Sequence, residues 1–99
     1  MKKILLVCNA GMSTSMLVAK MKKAAQADGV EVSIEAKSLA DAKKEIQEAN
    51  IVLLGPQIRY ELENVKKLAG SVSVEAIDMR DYGMMNGEKV LKHAMEVMG

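Results

Sequence analysis

Lys3-Ile4-Leu5-Leu6-Val7-Cys8-Asn9-Ala10-Gly11-Met12-Ser13-Thr14-Ser15-Met16-Leu17-Val18-Ala19-Lys20 is the stretch that decides the fold. Its apolar run, Ile4 to Val7, is too short for an ordinary helix and has polar neighbours, so it reads as a strand buried on both faces. The strand ends at Cys8. Asn9 to Ser15 then carry turn and capping chemistry: Gly11 is free to take positive φ, and Ser13 and Thr14 are both able to cap a helix expected to begin near Met16. A single thiol is thereby delivered to a helix N-terminus, where orphan N–H groups and the positive end of the helix dipole favour a thiolate over a thiol. The same N–H groups are suited to hold a phosphoryl group on the sulfur. A cysteine at the end of a buried strand is also a reasonable core thiol. Packing alone, however, does not call for a polar, glycine-containing turn with hydroxyls behind it.

Composition narrows the class. The 99 residues are 49% hydrophobic and 27% charged, with one proline and 2% aromatic residues, which excludes disordered, collagen-like and disulfide-rich chains and leaves one ordinary globular domain. Fourteen Lys and Arg against thirteen Asp and Glu give a net charge of +1, so no basic surface for nucleic acid or membrane lipid is expected. One cysteine forms no internal disulfide, and one cysteine with one histidine does not fill a zinc site, so neither metal nor cofactor is expected. The opening Met-Lys-Lys with an apolar run ending at Cys8 mimics an export or lipidation signal, but four apolar residues before Cys8 are too few. No segment approaches the roughly eighteen apolar residues a membrane span needs, so a cytoplasmic protein without membrane insertion is expected.

Periodicity orders the rest. Leu17, Met21, Ala24 and Ala25 recur at helical spacing while Lys20, Lys22, Lys23 and Gln26 face away, and Gly29 ends that helix. Val30, Val32 and Ile34 alternate with polar residues, as in an edge strand. Ser38 and Asp41 open a second helix lined by Leu39, Ala42, Ile46 and Ala49. Ile51 to Leu54 is a second continuous apolar run, hence a central strand, closed by Gly55-Pro56-Gln57. A third helix presents Ile58, Leu62, Val65 and Ala69, and Gly70 stops it before a fourth strand around Val72 to Ile77. Asp78 to Gly87 reads as a loop, and from about Glu88 a last helix turns Val90, Leu91, Ala94, Met95 and Met98 inward. The lone His93 falls off that face and reads as a solvated surface residue.

Strictly alternating strands and helices call for an α/β fold, a four-stranded parallel sheet with helices on both faces and right-handed crossovers. In the order 2-1-3-4 the winding reverses between strands 1 and 3, and ligands bind outside their C-terminal ends. Cys8 and Gly55-Pro56-Gln57 occupy those ends.

The chemistry narrows in turn. The nucleotide-binding glycine motifs and Cys-x-x-Cys are absent, and no carboxylate ends strand 1 or 3 to accept phosphate. Tyrosine phosphatases carry Cys-x5-Arg followed by Ser or Thr; here Thr14 stands in the arginine position, with Ser15 next. Such a phosphatase-like loop can cradle a phosphoryl group with N–H and hydroxyl donors, but it lacks the guanidinium that clamps a phosphate ester in its transition state. The expected cradle is Asn9, Ala10, Gly11, Met12, Ser13, Thr14 and Ser15, with Cys8 as nucleophile.

Three segments then carry a family resemblance: Cys8 to Ser15; Gly55-Pro56-Gln57-Ile58-Arg59-Tyr60; and Ile77-Asp78-Met79-Arg80-Asp81-Tyr82-Gly83-Met84-Met85-Asn86-Gly87-Glu88-Lys89-Val90-Leu91. In order and spacing they closely resemble the IIB components of the bacterial phosphoenolpyruvate-dependent sugar phosphotransferase system, lactose/cellobiose class, cellobiose/chitobiose branch. The resemblance covers essentially the whole chain and implies one IIB phosphocarrier domain over residues 1–99. It implies that Cys8 accepts a phosphoryl group from phosphohistidine on a IIA protein and passes it to a sugar held by the membrane protein IIC, so that the chain docks at the inner face of the membrane through IIC. Gln57, Tyr82, Met84 and Met85 are the expected rim of the site or partner surface, with Met12 as a further apolar contact. Two rivals stand beside this reading: a small cysteine-dependent phosphatase, and a non-catalytic interaction module with a core cysteine.

Overall fold

The computed structural model describes residues 1–8 and 12–99, with only the backbone of Met12 and Ser13. Strands β1 (Lys2–Cys8), β2 (Val32–Ser38), β3 (Ile51–Leu54) and β4 (Ser73–Ala76) form one parallel sheet in the order β2-β1-β3-β4, the expected arrangement. Between and after them lie the helices α1 (Met12–Asp28), α2 (Leu39–Ala42), α3 (Leu62–Ala69), α4 (Met79–Gly83) and α5 (Gly87–Met98).

The alternation of side chains along the two central strands divides the core. Ile4, Leu6, Ile51 and Leu53 face the layer built by α1 and α5, whereas Leu5, Val7, Val52 and Leu54 face the layer built by α2, α3 and the 3-10 turns. Ile4, Leu5, Leu6 and Val7 are all fully buried. At about 1.5–3 kcal/mol for each such side chain, their gross contribution rivals the whole net stability of a typical domain, so the placement of β1 is not negotiable. Right-handed crossovers explain the two layers. The chain leaves β1 in one direction and β3 in the other, which puts α1 and α3 on opposite faces and opens a crevice between the ends of β1 and β3.

Several expected boundaries shift. α1 begins at Met12 instead of near Met16, and Thr14 lies inside it without capping it. β2 starts two residues later than Val30 and runs on to Ser38. The expected second helix is a single turn, capped as foreseen by Ser38 accepting from the Asp41 N–H, followed by a 3-10 turn at Ile46–Glu48. Both helix types place residues three apart on one side, so the spacing of Leu39, Ala42, Ile46 and Ala49 could not separate them. Glu45, in the connection, bonds Lys37 and also Lys3, the latter at 3.0 Å, and these bonds, that of Lys37 foremost, hold its carboxyl below the usual range. The third helix is kinked at Ile58, where Pro56–Glu61 form a 3-10 segment before α3. The expected loop over Asp78 to Gly87 contains α4, and α5 starts one residue early, with Asn86 capping it by accepting from the Lys89 N–H. Val90, Leu91 and Ala94 are buried, and Met95 and Met98 are partly so.

His93 is exposed, as expected, but not solitary: its Nε2 lies 2.6 Å from Glu75 Oε1, tying α5 to β4. That bond holds the imidazole above its ordinary range. A group whose folded-state ionisation is raised adds stability below its unfolded value and loses it as pH rises through the folded one. The stability advantage of the wild type over His93→Ala is therefore expected at about pH 5 and expected to vanish by about pH 9, read as the difference in Tm between the two proteins. The effect is small, since more than half of the side chain is in water.

At Gly87 a Cβ would lie 2.6 Å from the Met21 backbone nitrogen and 2.7 Å from the Lys20 carbonyl carbon, so α5 seats its first turn directly on the α1 backbone. Alanine in place of glycine usually favours a helix by up to about 1 kcal/mol. Here the contact is with backbone that has no rotamer to change. Gly87→Ala is therefore expected to reverse that sign and lower stability by about 1–3 kcal/mol in urea unfolding.

Candidate active site

The C-terminal ends of β1 and β3 bring Cys8 beside Gly55 and Gln57. Cys8 closes β1 opposite Ser38 of β2, and alternation sets it on the same face as Ile4 and Leu6, the α1 face. It is 4% exposed. On the other side the ladder runs one residue beyond β3, because the Gly55 N–H donates to the Val7 carbonyl at 2.8 Å. A Cβ on Gly55 would sit 3.1 Å from Cys8 Cβ and 2.9 Å from Gln57 Oε1. Glycine thus lets the β3 end pass close beside the cysteine, and Gln57, otherwise exposed, folds its amide back over that contact. Ile58, 3% exposed, pins the segment by burying its side chain and donating its N–H to the Gly55 carbonyl at 3.0 Å.

α1 starts four residues after Cys8, and its first turn holds no acidic residue. The positive dipole end of α1 is therefore not offset by a carboxylate of its own first turn, which is the electrostatic condition for holding an anion. Of the expected cradle, Asn9, Ala10 and Gly11 lie outside the described residues, as do the side chains of Met12 and Ser13. Ser15 is exposed. Thr14 is only 1% exposed, and its Oγ1 lies 3.1 Å from the Tyr82 hydroxyl oxygen.

That contact revises the expected rim. Tyr82 is 8% exposed and packs in the α1/α5 core, so its ring is not open to a partner. It is carried there by α4, whose cap, Asp78, accepts from the N–H groups of Arg80 at 2.8 Å and Asp81 at 3.2 Å. Those backbone bonds, from Asp81 and Arg80, keep the Asp78 carboxyl below the usual carboxylate range. Met84 is 74% exposed, and Met79 and Met16 are also largely exposed. Met85 instead packs partly against the core, with φ at 53°, in the turn between α4 and α5.

Sequence reasoning missed Gly55 as a contact of Cys8 and missed α4 altogether. An aspartate followed by Met79-Arg80-Asp81 is a fair cap signal, but a five-residue helix is too short to show a period. A separate cleft of about 380 Å³ opens at β4, lined by Ile77, Asp78, Asp81, Lys89 and His93 among others; neither Cys8, Thr14, Gly55 nor Gln57 lines it. Among the described residues, no helix is long and apolar enough to cross a membrane.

Gly55→Ala is expected to displace Gln57 and crowd Cys8, changing the rate of thiol alkylation by iodoacetamide roughly tenfold while the far-ultraviolet circular dichroism stays that of the wild type. An unchanged alkylation rate would show that the close approach of Gly55 does not govern the thiol.

The geometry has counterparts in known proteins. Residues 3–93 match the family model described as PTS system, lactose/cellobiose specific IIB subunit. The oligo-beta-mannoside-specific EIIB component of Bacillus subtilis is 45% identical over 100 residues, covering 99% of this chain and 97% of that protein. The galactose-specific EIIB component of Lactococcus lactis is 44% identical over 104 residues, covering 98% and 96%. The solution structure of the cellobiose-specific IIB component of Borrelia burgdorferi superposes with a TM-score of 0.81 at 38% identity, covering 98% of this chain and 91% of that one. The chain belongs to the lactose/cellobiose-specific IIB family of the sugar phosphotransferase system and is a phosphotransferase of that system.

Proposed function

We propose that residues 1–99 form one cytoplasmic phosphocarrier domain in which Cys8 takes a phosphoryl group from phosphohistidine on a IIA protein and delivers it to a sugar bound by membrane IIC. The observation that carries this reading is the position of the chain's one cysteine, at the winding reversal of the sheet and just ahead of a helix N-terminus with no acidic residue in its first turn. In the first step the Cys8 thiolate attacks phosphorus: the S–P bond forms, the N–P bond breaks, and the departing imidazole nitrogen keeps the electron pair. In the second, a sugar hydroxyl oxygen attacks, the S–P bond breaks, the thiolate is regenerated, and the hydroxyl proton passes to a base on the acceptor side. Backbone N–H groups over Asn9 to Ser15 would hold the phosphoryl oxygens, and the first turn of α1 supports this by its polarity.

Exposed Met84, with Met79 and Met16, offers adaptable apolar contact area for IIA and IIC, while Gln57 stands beside the cysteine. The sugar is expected to be a disaccharide of cellobiose or chitobiose type selected by IIC. Relatives named for oligo-beta-mannoside and for galactose are equally similar to this chain, which fits a component that does not itself choose the sugar.

The phosphatase reading is disfavoured by Thr14, which stands where a guanidinium would be needed and is engaged by Tyr82. Burial of Cys8 favours the third reading, an interaction module with a core thiol. One experiment separates them. Incubated with the upstream phosphoryl donors, the wild type is expected to gain the mass of one phosphoryl group and Cys8→Ser to gain none, because a serine alkoxide is far less available than a thiolate near neutral pH. No gain by the wild type would leave the core-thiol reading standing, and steady release of inorganic phosphate would favour the phosphatase.

A further inference from the structure

Thr14 and Tyr82 are 68 residues apart in the chain, yet their hydroxyls meet at 3.1 Å inside the protein. Apart from the Tyr82 phenol, Thr14 carries the one hydroxyl in the buried set among the described residues. The chain has two tyrosines and no phenylalanine, and the other tyrosine, Tyr60, is 71% exposed. The core between α1 and α5 therefore contains a single aromatic ring, and that ring carries a hydroxyl.

Stability alone does not ask for this pair. Two hydroxyls bonded to each other inside a core gain little over the water they gave up, and apolar groups of the same shape, valine and phenylalanine, would be near neutral in their place. What the pair does supply is direction. Each hydroxyl has one proton and two lone pairs, and a bond between them consumes only one of the two protons. A phenol is the better donor and an aliphatic hydroxyl the better acceptor, so the arrangement that strengthens the bond has Tyr82 donating to Thr14 Oγ1. The Thr14 proton is then the one left over, in the first turn of α1, at the anion-favouring end of the helix.

We propose that Tyr82 is a positioning residue for phosphoryl transfer: its hydroxyl donates to Thr14 Oγ1, fixes the first turn of α1 against α4, and turns the Thr14 proton toward a phosphoryl group on Cys8. The inference rests on the phosphocysteine reading given above. Through this bond the seating of α4, the segment that also carries exposed Met79, reaches the end of α1 that follows the cysteine loop. The spare donor stabilises the doubly charged phosphoryl group more than the singly charged one, because a hydrogen bond to the more highly charged form favours it.

The test uses phosphorus NMR of the phosphorylated full chain across pH, with transfer rates from the upstream donor. In Tyr82→Phe the second ionisation of the phosphocysteine is expected to move to higher pH and the transfer rate to fall about tenfold, the range for losing one oriented donor. Thr14→Val is expected to do the same from the other side of the bond. The double variant should be no slower than the slower single one, since both remove one interaction. Thr14→Ser, which restores the hydroxyl, should recover most of the rate. A residue that only packed the core would shift urea unfolding and leave the phosphorus titration where it was. A folded Tyr82→Phe with the wild-type titration and rate, or rate losses that multiply in the double variant, would overturn the inference while the phosphocysteine of the wild type stood. A wild type that acquires no phosphoryl group on Cys8 would overturn the reading beneath it as well.

Discussion

Everything at the functional end of this protein follows from the burial of one short strand on both its faces. Ile4 to Val7 have no solvent-exposed side, so β1 must be central and must be covered by helices above and below. A parallel sheet satisfies that demand only with crossovers, and right-handed crossovers leaving β1 and β3 in opposite directions create the crevice at their C-terminal ends. Cys8 is the next residue after the buried run. Its place in the crevice is a consequence of hydrophobic burial one residue upstream, and no separate interaction is needed to bring it there.

Closeness is then supplied by residues that lack side chains. Gly55 lets the end of β3 run against Cys8, and Gly87 lets the first turn of α5 rest on the backbone of α1. The second contact fixes where α5 begins, hence the turn through Met85 and Asn86, hence the seating of α4 and Tyr82. Gly55 thus acts at the crevice itself, beside Cys8, whereas Gly87 acts from a distance, through Lys20 and Met21 in the middle of α1.

What could be read in the sequence was what repeats or runs on. The apolar runs of β1 and β3, the alternation in β2 and the 3.6-residue stripes of α1 and α5 each involve several residues voting for one answer, and all were legible. α4 was not, because five residues with Met79 and Arg80 pointing to water show no period. Nor was the kink at Ile58, since a spacing of four to Leu62 looks the same whether the helix between is continuous or tightened. The Cys8 position was legible from its neighbours, whereas the Thr14–Tyr82 bond was not, for no local pattern links residues 68 apart. Thr14 looked like a helix cap because threonine at such a place usually is one. Its hydroxyl has been drawn to a phenol in the core and away from its own helix.

On the phosphocarrier reading, the choice of threonine over arginine at this position has a thermodynamic sense. A carrier must bind the phosphoryl group and then let it go, so any interaction equally strong before and during transfer lowers the starting state as much as the barrier. A bidentate guanidinium contributes charge-assisted bonds of about 1.5–3 kcal/mol each, and an enzyme that hydrolyses its own intermediate can use them because water is always at hand. A carrier meets its acceptor only on docking. Neutral donors, at about 0.5–1.5 kcal/mol each, hold the group more weakly and leave onward transfer within reach of the partner's own charges. A hydroxyl fixed by a second, buried hydroxyl is the neutral donor with the least freedom left to lose, so it orients the group without the grip of a cation. In that sense the Thr14–Tyr82 pair and the missing arginine are two sides of one requirement: the phosphoryl group is held in place, and is not held fast.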